Sequence, residues 1–159
     1  MHLNELEYTT LLRSNPDLAG PQLPKLPRGL GKAPSEQAEQ EAVIAWAAAN
    51  EGRWPELKWL FHIPNGGERP AGAGEMLRRA GVKAGVPDLH LPVARAGANG
   101  RTIHGLWIEV KKRDHSNSPS PDQRAWIEAL RGLGHMAIVA FGADEAIAHI
   151  EHYLNLNGE

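Results

Sequence analysis

The sequence predicts an α/β domain in which helices cover a mixed β-sheet. Three observations lead there. GLWIEVKK (105–112) alternates and is rich in residues that fit a pleated, half-buried surface. HMAIVAF (135–141) is a short continuous apolar run, the pattern of a buried central strand. Amphipathic stretches beginning at Ser35 and Ser120 precede and separate such strands, and the order helix, three strands, helix, strand, helix is that of a layered domain.

The elements follow in order. LNELEYTTLLRS (3–14) predicts a short helix, and the Pro- and Gly-rich stretch 15–34 a linker, extended or mobile. In SEQAEQEAVIAWAAAN, Ser35 is an N-cap, acids come early, and Glu36, Gln40, Val43 and Ala47 share one stripe. LKWLFHI (57–63) alternates as a strand with Trp59, Phe61 and Ile63 on one face, and PNGGERPAGAG follows as a turn and Gly-rich loop. GEMLRRAG (74–81) predicts a short helix, VPDLHLPV (86–93) a strand, ARAGANGRT a flexible connection and IHGLWIEVKK (103–112) the return strand. In SPDQRAWIEALRGLG, Ser120 caps, Pro121 suits the first helical position and Gln123 falls where a capping-box partner belongs, with Trp126, Leu130 and Leu133 as the apolar stripe. DEAIAHIEHYLNL closes as a helix with Ile147, Ile150 and Leu154 inward. The division expected is 1–34, helix and linker, then 35–159, one compact domain.

Composition narrows the class. At 159 residues, with 42% apolar and 23% charged residues, the chain suits one globular domain. No apolar run approaches the length of a membrane span, and MHLNELEYTT lacks the basic and apolar regions of a signal peptide. Without cysteine, disulfides and thiolate metal sites are excluded and a reducing, cytoplasmic setting is expected. Residues 53–113 carry eleven Lys/Arg against five Asp/Glu, a local +6 within a chain of net charge −2. A basic middle between acidic ends predicts a basic face.

The return strand carries the chemistry. Alternation puts Leu106, Ile108 and Val110 on one face and Trp107, Glu109 and Lys111 on the other, the acid and the amine about 7 Å apart. Val86, Asp88 and His90 share a face of the preceding strand. Pairing of the two strands sets Asp88 beside Glu109: two carboxylates and a lysine at one point. Close carboxylates repel unless a cation lies between them. Carboxylate oxygens, a backbone carbonyl and waters suit Mg²⁺ or Mn²⁺. Such an ion acidifies water and polarises a phosphoryl oxygen.

Those residues bring a resemblance with them. GVPD followed by IEVK resembles the PD-(D/E)xK nuclease motif. The ordered blocks FHIPNGGERPAG, GVKAGVPDLHL, GLWIEVKK and SPDQRAWIEALRGLGHMAIVAFGADEAI resemble the VRR-NUC branch of that superfamily over residues 35–155. The resemblance implies a restriction-endonuclease-like core and a Mg²⁺- or Mn²⁺-dependent endonuclease acting on DNA in a bacterial or phage-infected cell. It implies Asp88, Glu109 and the Val110 carbonyl as metal ligands and Lys111 as catalytic lysine. Glu36 becomes the first-helix acid, Gln40 its supporting glutamine one turn on, and Gln123 the glutamine heading the helix after the motif strand. Glu36 also suits the positive end of its helix, and Gln123 a plain cap. Asn65, Gly66, Gly67, Arg69, Arg78, Arg79, Lys83, Lys112 and Arg113 are the expected contacts to a DNA backbone.

Eight histidines raise a zinc reading, but His149 and His152 have no third ligand at suitable spacing and are expected on an exposed helix face; His90 is expected in a polar core role. The rival to a nuclease is a nuclease fold that grips DNA without cutting it, and a hydrolase of small phosphate esters is a third reading. A homodimer preferring branched or four-way DNA is expected, with no small-molecule cofactor and no membrane partner.

Overall fold

The computed structural model describes residues 5–22, 32–65, 70–98 and 100–157. Its helices are α1 (Glu5–Ser14), α2 (Glu36–Asn50), α3 (Ala73–Arg79), α4 (Pro121–Gly132) and α5 (Ala143–Leu154). Its strands are β1 (Phe61–His62), β2 (Leu89–Leu91), β3 (Arg95–Ala96), β4 (Thr102–Ile103), β5 (Leu106–Lys111) and β6 (Met136–Phe141). A four-stranded sheet has the order β1-β2-β5-β6. β1–β2 and β2–β5 are antiparallel and β5–β6 parallel, so the sheet is mixed. The parallel pair needs a crossover, and α4 supplies it.

Alternation along β5 and β6 assigns the two faces. Trp107, Ala137 and Val139 face α4 and pack with Trp126, Ile127 and Leu130. Leu106, Ile108, Val110, Met136, Ile138 and Ala140 join Val43, Ala47, Ile150, Tyr153 and Leu154 of α2 and α5 in the main core. Each Val, Leu, Ile or Met side chain among them contributes roughly 1.5–3 kcal/mol on burial. Both central helices begin as expected. Ser35 accepts from Ala38 N–H at 3.1 Å, and Ser120 with Gln123 forms a complete capping box.

Several elements depart from expectation. Pro55–Trp59 is a 3₁₀ turn rather than the start of a strand. Its three-residue repeat turns Trp54 and Leu57 inward and leaves Trp59 exposed. β2 is cut to three residues because Pro87 and Pro92 flank it and cannot donate to a ladder. The connection expected to be flexible holds a small ribbon, β3 paired with β4. α4 ends at Gly132, so Leu133 falls outside its stripe and is exposed, while Ile127 is buried instead.

β6 is buried but not central; it ends the sheet. Pro16–Ala19, within the stretch expected as linker, forms a 3₁₀ turn that packs on β6 with Leu18 in the core. Gly20, at φ +70°, comes so close that a Cβ there would lie 2.8 Å from Ile138 Cγ2. Residues 15–20 are therefore part of the packed body. Among the described residues no helix is long and apolar enough to cross a membrane.

His149 lies on the inner face of α5 rather than an exposed one, and its Nδ1 has no hydrogen-bond partner. Burial, aided by His152, pushes its pKa down to about 4. The unfolded chain takes up a proton near pH 6.5, which the native chain refuses until about pH 4. Stability therefore falls as pH drops through that window, by about 3 kcal/mol from this group. Denaturant unfolding at pH 7 and pH 4.5 should show a smaller acid loss in His149→Leu than in the wild type; equal losses would remove His149 from the account.

Candidate active site

The paired strands place the motif. Leu89 lies opposite Ile108, and one further step of this register sets Asp88 opposite Glu109. Asp88 sits just before β2, where the ladder ends, and its Oδ2 accepts from Val110 N–H at 2.8 Å. Its carbonyl accepts from Ile63 N–H at 2.8 Å and His62 Nδ1–H at 2.9 Å. Backbone and side chain are thus both fixed between β1 and β5.

Glu109 is 1% and Lys111 5% exposed. Lys111 Nζ lies 2.9 Å from Glu109 Oε1 and 3.3 Å from Glu36 Oε1. Gln123 Nε2 donates to Glu109 Oε1, while Gln123 Oε1 accepts from Ser120 N–H at 2.8 Å. One Gln123 side chain makes both contacts. Its carbonyl end caps α4 and its amide end orients the strand carboxylate. Asn117 donates to Glu36 Oε1 and accepts from Lys112 N–H at 3.3 Å. Glu36, Lys111, Glu109 and Gln123 form one hydrogen-bonded cluster, and Asp88 is anchored beside it on Val110 N–H, between Glu109 and Lys111. Gln40 is half-buried on α2, and among the described residues no hydrogen bond joins it to that cluster.

The electrostatics follow from burial. Glu109 is pushed up to about 7, first by loss of water and then by the charge of Asp88, against the pull of Lys111. Asp88 is raised chiefly by burial, against its bond from Val110 N–H. Burial opposes the charge on Lys111, but Glu109 and Glu36 together hold its pKa above the usual lysine value. Glu109 Oε2 is buried without a partner. The site holds more negative charge than Lys111 alone balances comfortably.

The loop bearing Asp88 is seated by its neighbours. Gly85 has φ +83°, and a Cβ there would meet the Asp122 backbone carbonyl carbon at 2.6 Å, so only glycine lets this loop lie on the first turn of α4. Asn65 Nδ2 donates to Val86 O at 3.2 Å, and Trp126 Nε1 to Ala84 O at 3.0 Å. Asn65, Arg78 and Lys83 line one cleft of about 230 Å³ beside this loop, with Gly74, Val82 and Ala84. Arg78 is also paired with Glu75 at 2.7 Å, Arg79 is exposed on α3, and Lys112 is half-buried. Gly66, Gly67 and Arg69 lie outside the described residues.

Arg113, expected on a DNA-facing surface, is partly exposed and pairs with a buried carboxylate. Its Nε and Nη2 donate to Glu39 Oε1 and Oε2 at 2.6 and 2.8 Å, and Glu39 is 1% exposed. Glu39 also accepts from Ala143 N–H at 2.9 Å, which caps α5 where Gly142 offers no side chain. His90, half-buried, stacks on Trp107 with ring centroids 3.8 Å apart and bonds Leu106 O.

A sequence profile of the VRR-NUC domain matches residues 34–144. The chain belongs to the VRR-NUC nuclease family. A solved structure described as a VRR_NUC domain protein is 33% identical, with a TM-score of 0.65 over 80% of this chain and 93% of that one. No curated protein matches. The VRR-NUC fold accounts for the restriction-endonuclease-like core, with β2 and β5 presenting the motif and α4 closing one face of the sheet.

Proposed function

We propose that this VRR-NUC protein is a divalent-metal-dependent DNA endonuclease, acting as a homodimer with preference for branched DNA. The observation that supports it most is the meeting of Asp88, Glu109 and Lys111 with an unpartnered, buried Glu109 Oε2. Two carboxylates held above their usual range by burial suit a cation. Among the described residues no three His, Cys, Asp or Glu side chains group as a metal-binding set. Asp88 and Glu109 fit an ion that takes one or two carboxylates and completes its shell with water, backbone and substrate phosphate, as Mg²⁺ does and Mn²⁺ can. Asp88 and Glu109 would hold it, with Val110 supplying backbone oxygen; bound there, it supplies an acidified water and a polarised phosphoryl oxygen.

The other residues act around it. Gln123 fixes the rotamer of Glu109, and Glu36 holds the Lys111 ammonium beside it. Lys111 then stabilises charge developing on the reacting phosphate. The cleft lined by Asn65, Arg78 and Lys83 gives a strand of DNA a basic approach to the same loop. A small chain with one such site cuts one strand at a time, and a two-fold pair brings two sites to a junction.

The test is cleavage of plasmid, linear duplex and four-way junction with Mg²⁺, Mn²⁺ or chelator, beside Lys111→Ala. Divalent-dependent cutting, faster on the junction and reduced about 10²-fold or more in Lys111→Ala with affinity nearly kept, is expected. Binding without cutting under every ion would leave only the binding module. Equal rates on junction and duplex would remove the structural preference, and a monomeric mass free and on DNA the dimer.

A further inference from the structure

Between β5 and α4 the chain makes a loop, 112–120, that the nuclease motif does not include. Two contacts tie it to the rest of the fold, His115 to Phe141 and Asn117 to Glu36, and two more shape it from within. His115 adopts φ +58°, in the left-handed region, and its ring stacks on Phe141 with centroids 4.0 Å apart. Asp114 Oδ1 accepts from Ser116 N–H at 2.9 Å. Asn117, next in line, joins the start of the loop to α2. Its Oδ1 takes the Lys112 N–H at 3.3 Å, and its Nδ2 donates to the same Glu36 Oε1 that lies 3.3 Å from Lys111 Nζ. An amide held at both ends has its donor and acceptor orientation set.

From this geometry we infer that Asn117 is a positioning residue for the lysine. It fixes the Glu36 carboxylate so that the Lys111 ammonium is held between Glu36 and Glu109. This rests on the nuclease reading of the site. Glu36 is only part-buried on the first turn of α2, and without Asn117 its side chain is free to turn to water. Lys111 then keeps Glu109 as its one near carboxylate and loses the second anchor. A displacement of about 1 Å in a group that acts at the transition state costs about 10²-fold. Asn117 touches neither Asp88 nor Glu109, so ion binding is spared.

Asn117→Asp tests the contact to Glu36. It keeps an acceptor for Lys112 N–H and hence the loop, removes the donor to Glu36, and sets a like charge against it. The expected result is a fall of about tenfold or more in kcat, with KM for DNA within about twofold and unchanged Mn²⁺ binding by calorimetry. Asn117→Ala should fall less than Asn117→Asp. In a Glu36→Gln background, Asn117→Ala should change the rate less than about twofold, because the effect passes through Glu36. Wild-type kcat in Asn117→Asp, or additive effects with Glu36→Gln, overturns the inference while leaving the nuclease standing. A wild-type protein inert on every DNA under every ion overturns the nuclease reading, and this inference with it.

Discussion

Asp88→Asn and Glu109→Gln are each expected to reduce cleavage by about 10³-fold or more and to abolish the heat of Mn²⁺ binding, while the protein keeps its fold. Both substitutions keep shape and remove a charge. Asp88→Asn can retain an oxygen for Val110 N–H, and Glu109→Gln an oxygen for Gln123 and Lys111. What is lost is the anionic donor pair. In metal-free protein the charge is a burden. Glu109, at about 7 when folded, ordinarily titrates near 4.5, so holding it ionised above pH 7 opposes folding. Glu109→Gln in chelator at pH 8 should therefore melt no lower than the wild type, and higher if the desolvation cost outweighs the weakened contact to Lys111. Unchanged Mn²⁺ heat in Asp88→Asn would remove Asp88 from the metal site. A collapsed melting temperature in Glu109→Gln would mean that the carboxylate holds the fold rather than a cation.

The motif residues were legible because strand geometry is local. Alternation alone put Glu109 and Lys111 on one face, and antiparallel pairing then brought Asp88 opposite Glu109, as the register does. Gln123 was legible from its place in a capping box, but its second bond depends on how α4 lies on the sheet, which no local pattern encodes. The misreadings have a common origin. His149 and Glu39 occupy inner helix positions, yet a polar residue type hides the apolar period. Of the stripe expected at Glu36, Gln40, Val43 and Ala47, Val43 and Ala47 are buried, and the other buried position of α2 is Glu39. Leu18 sits in the core although prolines surround it, because burial of the β6 edge is a tertiary need. Asn117 lay in a polar loop whose path over the site is set by contacts distant in sequence.

Arg113→Ala is expected to destabilise the protein by about 3 kcal/mol and to leave the salt dependence of DNA binding nearly unchanged. The sequence places Arg113 among DNA contacts because it belongs to the basic middle, 53–113, and the structure pairs it with a buried carboxylate. Removing the guanidinium strands Glu39 without its cation, and breaking such a buried pair costs roughly 3–5 kcal/mol. The lower end applies because the Arg113 side chain is 39% exposed and water can reach its place. Glu39 is also the cap of α5 through Ala143 N–H, so Glu39→Ala loses a helix cap as well and should cost at least as much. The pair has a pH signature. Glu39 is held below the usual carboxylate range, first by its bond from Arg113 and further by Ala143 N–H, against the cost of burial. Its contribution is present above the unfolded pKa and is lost as pH falls through the folded one. Denaturant unfolding of both single variants and of Glu39→Met/Arg113→Leu separates the parts. Apolar replacement of both partners should recover much of the loss, since the charge no longer needs a counter-charge. Arg113→Ala at wild-type stability, with a salt slope reduced by about one phosphate contact, would return Arg113 to the DNA surface.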